Sequence, residues 1–154
     1  MGRGNGLVGG YIDKRVFYKD SGGHKVKDPG AIFVAEIYID MGYEVVFRQT
    51  HPTLGKTYDL SIKTSDDVSF VKNIEVKRVT SPNPSKIADH IKDGFQQFRE
   101  NPADTVAIVL TGHNNDSEGR VFAHTGFDEA ERKGWVTGNH VEVWFKDKTK
   151  INLC

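Results

Sequence analysis

The chemistry-bearing part of the chain is the segment YDLSIKTSDDVSFVKNIEVKR, Tyr58 to Arg78. It reads as two extended stretches, Tyr58–Lys63 and Val68–Val79, joined by the polar turn Thr64–Asp67. Asp59 starts the first stretch. Glu75 and Lys77 lie two apart on the second, so their side chains share one face of a strand. If the two strands are neighbours across the turn, Asp59 approaches Glu75. Two carboxylates converging with a lysine suit metal-assisted phosphodiester cleavage. Carboxylate oxygens hold a hard cation such as Mg²⁺. The cation binds the scissile phosphate and acidifies an attacking water. The ammonium group orients that water and stabilises the crowded phosphorus centre. Glu36, polar on an otherwise apolar helix, is a candidate third carboxylate.

The flanking sequence predicts the elements that would position these groups. Asp28-Pro29 is a helix start, Asp28 as cap and Pro29 in the first turn. AIFVAEIYIDMG follows as a helix apolar nearly all round, closed by Gly42, with Glu36 and Asp40 as its polar strip. Glu44–Arg48 is a short β-branched and aromatic strand before a Pro/Gly loop at His51–Lys56. After SPNPS, Lys86–Arg99 is a helix with Ile87, Ile91, Phe95 and Phe98 on one stripe. Beside that stripe run Lys86, His90, Asp93 and Gln97. Lys86 suits a phosphate contact, His90 a general acid, and Gln97 a group that orients the lysine or a base. Val106–Leu110 is a continuous apolar strand of the kind buried on both faces. The loop GHNNDSEG then leads to Arg120–His124. Asp128–Lys133 reads as a short helix, and Val141–Phe145 and Lys150–Leu153 as late strands. Helix, three strands, helix and strand in that order predict an α/β domain, a central mixed sheet flanked by helices.

Composition narrows the function classes. The chain has 154 residues, suited to one domain, with 37% hydrophobic and 27% charged residues and a mean hydropathy of −0.50. Residues 1–10, MGRGNGLVGG, are a Gly-rich lead-in, and residues 11–154 form the single domain. No apolar run approaches the ~18 residues that span a bilayer, and Leu7-Val8 is too short for a signal-peptide core. Twenty-one basic residues balance 21 acidic ones, which excludes coating of nucleic acid by bulk charge but not a local basic groove. Lys72, Lys77, Arg78, Lys86, Lys92 and Arg99 concentrate positive charge near the proposed site, enough to neutralise a few phosphates; an ordinary solvated surface has the same composition. Cys154 is the only cysteine, so neither an internal disulfide nor a thiolate metal cluster is possible.

Glu36, Asp59 and Glu75-Val76-Lys77, followed by a helix and an apolar strand, resemble the PD-(D/E)XK nuclease superfamily over roughly residues 28–110. The resemblance implies a restriction-endonuclease-like core and a hydrolase that cleaves nucleic-acid phosphodiester bonds. It implies that Asp59, Glu75 and Glu36 hold Mg²⁺, or another divalent cation such as Mn²⁺ or Zn²⁺, and that Lys77 is catalytic. Tyr58 stands where the motif has proline. The compact size, Gly-rich entry and helix KIADHIKDGFQQF are similar to the C-terminal toxin domains of contact-dependent growth inhibition and other polymorphic toxin systems. That closer likeness implies an endonuclease with tRNA as substrate, a cognate immunity protein as partner, and delivery from the cell surface as part of a larger toxin that acts in the target-cell cytoplasm.

Each of these residues also has a structural reading. Glu75 and Lys77 suit a same-face ion pair on a solvated strand. Glu36 suits a solvent strip shared with Asp40, and the Lys86–Gln97 stripe suits a solvated helix flank. At the level of function the alternatives are a DNase of the same fold and a catalytically inactive module that binds nucleic acid or protein. The absence of a G-x-S-x-G elbow argues against a serine hydrolase.

Overall fold

The structure, a computed structural model, describes residues 19–20, 22–48, 59–63, 72–96, 104–137 and 140–154. Helix α1 spans Pro29–Asp40. Its cap is Asp28, whose Oδ1 accepts the Gly30 N–H at 2.9 Å. Gly42, at φ 97°, turns the chain out of the helix, a conformation glycine adopts without a side-chain clash. Strands β1 (Glu44–Phe47), β2 (Leu60–Lys63) and β3 (Lys72–Val79) are successive antiparallel neighbours. Helix α2 (Ser85–Gln96) then crosses to β4 (Thr105–Leu110), which lies parallel to β3. A second crossover through α3 (Ser117–Arg132) leads to β5 (His140–Trp144), parallel to β4, and β6 (Lys150–Asn152) closes the sheet antiparallel to β5. The six strands stand in sequence order in one mixed sheet, so the expected α/β architecture is what the chain forms.

Two apolar layers sandwich the sheet. On one face α1 packs Val34, Ala35, Tyr38 and Ile39 against Ile62, Ile74, Val76 and Val109. On the other, α2 and α3 pack Ile87, Ile91, Ala123 and Phe127 against Val106, Ile108 and Val143. Both crossover helices share that face because each carries the chain between parallel neighbours. All six residues of β4 are buried, as its unbroken apolar run predicts.

The third helix is a correction. The loop through Gly119, the segment Arg120–His124 and the short helix Asp128–Lys133 are one sixteen-residue helix, Ser117–Arg132. Asp116 caps it, accepting the Gly119 N–H at 2.9 Å. Its glycines mark close approaches rather than breaks. A Cβ on Gly126 would stand 2.5 Å from both Ile87 Cβ and the Pro84 carbonyl oxygen, and one on Gly119 would run into the Asn114 carbonyl. The Gly-rich lead-in, the His51–Lys56 loop, the Thr64–Asp67 turn, the last turn of the Lys86–Arg99 helix and Gln97 lie outside the described residues.

Candidate active site

The site forms where β2 begins beside β3. Asp59 precedes β2 directly. Its N–H donates to the Ile74 carbonyl at 3.0 Å. Its carboxylate then continues the ladder: Oδ2 accepts the Val76 N–H at 2.9 Å, in the place a backbone carbonyl would fill. With Leu60 opposite Ile74, the register puts Asp59 opposite Glu75, and the two carboxyl groups lie within hydrogen-bonding reach. Lys77 Nζ completes the group, 3.1 Å from Glu75 Oε2. Alternation on β3 fixes the directions. Val76 faces α1, while Glu75 and Lys77 face α2.

Electrostatically the group is strained. Glu75 is only 5% exposed, and its Oε1 is buried with no N–H or O–H donor among the described residues. Burial pushes the Glu75 carboxyl up to about 8, the Asp59 charge adds to the rise, and Lys77 opposes it. Burial also lifts Asp59 above the usual carboxylate range, against the pull of the Val76 N–H and of the bond from Glu75; the charge of Asp28 adds to the rise. Burial and the second carboxyl beside it thus favour a proton on Glu75 at neutral pH. Where a cation replaces that proton, both carboxylates can ionise and the stranded Oε1 gains a partner.

His90 comes from α2. It is half-buried, and its Nδ1 has no hydrogen-bond partner among the described residues. Burial, then the charge of Lys77, hold the imidazole below its ordinary value, with Asp93 and Asp89 opposing. It is therefore neutral at pH 7. In that form the imidazole has a ring nitrogen free to accept a proton.

The remaining sequence candidates are dispersed. Glu36 sits half-buried near the middle of α1, eight residues along from Asp28 and so about 12 Å up the helix axis. Among the described residues no group of three or more His, Cys, Asp or Glu gathers as a metal-binding set, so Glu36 does not join Asp59 and Glu75. The helix-borne acid whose charge reaches Asp59 is Asp28, which the sequence presents only as a cap. Lys86 is exposed and pairs with Asp89 at 3.8 Å on the helix surface. Arg78 is exposed and projects from the opposite face of β3 to Lys77, against the start of α1.

Arg48, which in sequence flanks the loop entering the Asp59 strand and suits a substrate contact, lies beside the site. Its N–H donates to the Asp59 carbonyl at 2.8 Å. Its Nε donates to Ser61 Oγ at 2.8 Å, and Ser61 in turn donates to Asn73 Oδ1 at 3.0 Å. Arg48 and Asp59 both line an open cleft of about 400 Å³, together with Lys25, Lys27 and Asp28. In sequence its one signal is its position at the end of the strand leading into the Asp59 loop. No family model, curated protein or solved structure matches the chain.

Proposed function

We propose that the chain is a metal-dependent endonuclease, a toxin domain acting on RNA, with tRNA as its first substrate and a cognate immunity protein as its partner. The observation that carries the catalytic part is the buried Asp59–Glu75 pair with Lys77 bound to it. Two carboxylates and a stranded buried oxygen fit Mg²⁺ or Mn²⁺, which accept one or two carboxylates and fill their remaining positions with water and substrate phosphate. They fit Zn²⁺ poorly, since its sites use three or four protein ligands rich in nitrogen or sulfur. Asp59 and Glu75 would hold the ion. When bound, it supplies charge neutralisation at the phosphate and a more acidic water.

The residues of the chain do the rest. Lys77, held 3.1 Å from Glu75, would donate to the attacking water or to a non-bridging phosphate oxygen. Neutral His90, beside Lys77, accepts a proton. The Arg48 guanidinium, anchored through Nε on Ser61, brings positive charge to a cleft whose other charges, Lys25 and Lys27 against Asp20, Asp28 and Asp59, are mixed in sign.

The test is direct. Purified protein is incubated with tRNA and with plasmid DNA, in Mg²⁺ and in EDTA, beside Asp59→Asn and Lys77→Met. Metal-dependent cleavage of tRNA lost in both variants supports the reading; cleavage of DNA alone moves it to a DNase. No cleavage of either polymer under any divalent metal overturns it. A second reading, a binding module without catalysis, draws on the 3.1 Å contact by which Glu75 occupies Lys77. Calorimetry with no Mg²⁺ or Mn²⁺ binding, beside tight binding of RNA or of a protein, favours that module.

A further inference from the structure

A second group of charges lies on the α1 face of the sheet, beyond the end of the helix. Glu142 on β5 is 1% exposed and fully bonded. It accepts from Tyr38 Oη at 2.9 Å, Trp144 Nε1 at 3.0 Å, Lys72 Nζ at 2.8 Å and Lys150 Nζ at 3.1 Å. One lysine neutralises that carboxylate, and the tyrosine and indole satisfy its other oxygen. The second lysine adds a positive charge that the fold does not require, in a place where charge is expensive to hold.

Both lysines are largely sheltered, with side chains 23% and 28% exposed. They bond to the same oxygen of Glu142, so their nitrogens stand no more than about 6 Å apart. Lys72 spends two of its three N–H groups, on Glu142 and Tyr38 Oη, and Lys150 spends one. Lys150 Nζ also lies 5.7 Å from the Tyr38 ring centroid, while Lys72 meets that side chain at its hydroxyl. Both ammonium groups open into a cleft of about 420 Å³ whose walls include Tyr43, Met41, Ile62 and Asp104, a volume suited to a small ligand. A tetrahedral oxyanion can bridge two ammonium groups at this spacing and still face solvent. The Tyr43 ring and the exposed Met41 offer a flat apolar flank. Asp104, already accepting the Asn73 N–H and the Thr105 hydroxyl, disfavours a bare anion and favours a ligand whose far edge carries N–H donors.

We propose that this cleft binds a nucleoside monophosphate, with the phosphate on Lys72 and Lys150 and the base along Tyr43 and Met41. The site lies across the sheet from Lys77 and does not depend on the nuclease reading. The full chain carrying Trp135→Phe leaves Trp144, whose indole touches both Glu142 and Lys150, as its fluorescent reporter. It is titrated with AMP, adenosine and inorganic phosphate, then again with Lys150→Met and Lys150→Arg. AMP is expected to saturate the signal roughly tenfold more tightly than adenosine or phosphate. Lys150→Met removes that advantage and Lys150→Arg keeps most of it, while Asp59→Asn leaves AMP binding unchanged. A 5′-phosphorylated oligonucleotide that binds more tightly than AMP assigns the cleft to a chain end, and one that binds more weakly assigns it to the free nucleotide. No saturation with AMP, equal binding of AMP and adenosine, or full AMP affinity in Lys150→Met overturns the proposal. The comparison of AMP with adenosine on the Trp135→Phe chain decides the question even if Lys150→Met fails to fold.

Discussion

Glu75→Gln should make the protein more stable at alkaline pH while removing its proposed chemistry. Glu75 is almost wholly buried, and its carboxyl is pushed up to about 8 from an ordinary 4.5. The folded state thus holds a proton that the unfolded chain has already released above pH 4.5. The sign follows: the contribution of Glu75 is intact below its unfolded value and is lost as pH rises toward 8. The gap between 4.5 and about 8 converts to at most roughly 5 kcal/mol. Glutamine keeps the shape and removes the ionisation penalty. It also weakens the 3.1 Å contact from Lys77, a loss of about 1–3 kcal/mol. The net expectation at pH 9 in EDTA is a stabilisation of about 2 kcal/mol, or some 4–8 °C in Tm. At pH 5, where wild-type Glu75 is neutral, the variant gains nothing. Urea unfolding followed by tryptophan fluorescence at both pH values gives the comparison. A destabilisation of equal size at pH 5 and pH 9 would refute the reasoning, because it would mean Glu75 is stably ionised in the fold.

Further expectations concern the same sheet and its helices. Lys77→Met should reduce metal-dependent cleavage about a hundredfold or more while leaving far-UV circular dichroism unchanged. Arg48→Ala should weaken substrate binding more than turnover, seen as a rise in KM with kcat largely kept. Gly126→Ala should lower stability by about 1–3 kcal/mol, since its new methyl group meets Ile87 and the Pro84 carbonyl; thermal unfolding reads this. Glu142→Gln should cost about 3–5 kcal/mol at pH 7, because two sheltered lysines lose their counter-charge. Burial pushes the Glu142 carboxyl up, but Lys72 and Lys150 outweigh it and hold it below its ordinary value. That stability is therefore present above the ordinary carboxylate range and lost as pH falls through the lower folded value, so the gap between variant and wild type should narrow in acid.

Local patterning made the first part of the fold legible. Asp28-Pro29 and Gly42 bracket α1 in sequence as they do in space, and the alternation around Ile74 and Val76 places Glu75 and Lys77 on the opposite face. Pairing across the Thr64–Asp67 segment was enough to bring Asp59 to Glu75. What local pattern could not supply was distance along a helix relative to the sheet. Glu36 has the right chemistry but lies two turns beyond the end of α1 that approaches Asp59. Asp28 has the right place, and its capping bond conceals a longer-range charge effect. Helix α3 escaped for a related reason. Its glycines weaken the local helical signal, and only the tight approach to Ile87, Pro84 and Asn114 explains them. Glu142 gave no signal at all, because its partners come from α1, β3 and β6 and converge only once the sheet is complete.

The two buried glutamates of this sheet show how one backbone plan yields opposite electrostatics. Glu142 is surrounded after the fact by two cations, a hydroxyl and an indole N–H, so its charge is stable where it stands. Glu75 has one cation, a second carboxyl as its neighbour and an oxygen with no donor. Burial alone does not separate them, since both are nearly inaccessible. The number of donors does. A carboxylate with all its lone pairs occupied has nothing to offer a ligand, whereas one held short of partners has affinity in reserve for a cation. Stability lost around Glu75 is offset by the apolar layers on either side of β3, which hold Asp59 and Glu75 together despite their repulsion. If that balance is what equips the site, filling Glu75 Oε1 by any means should stabilise the fold. Added Mg²⁺ should then raise Tm in the wild-type protein and have no effect in Glu75→Gln.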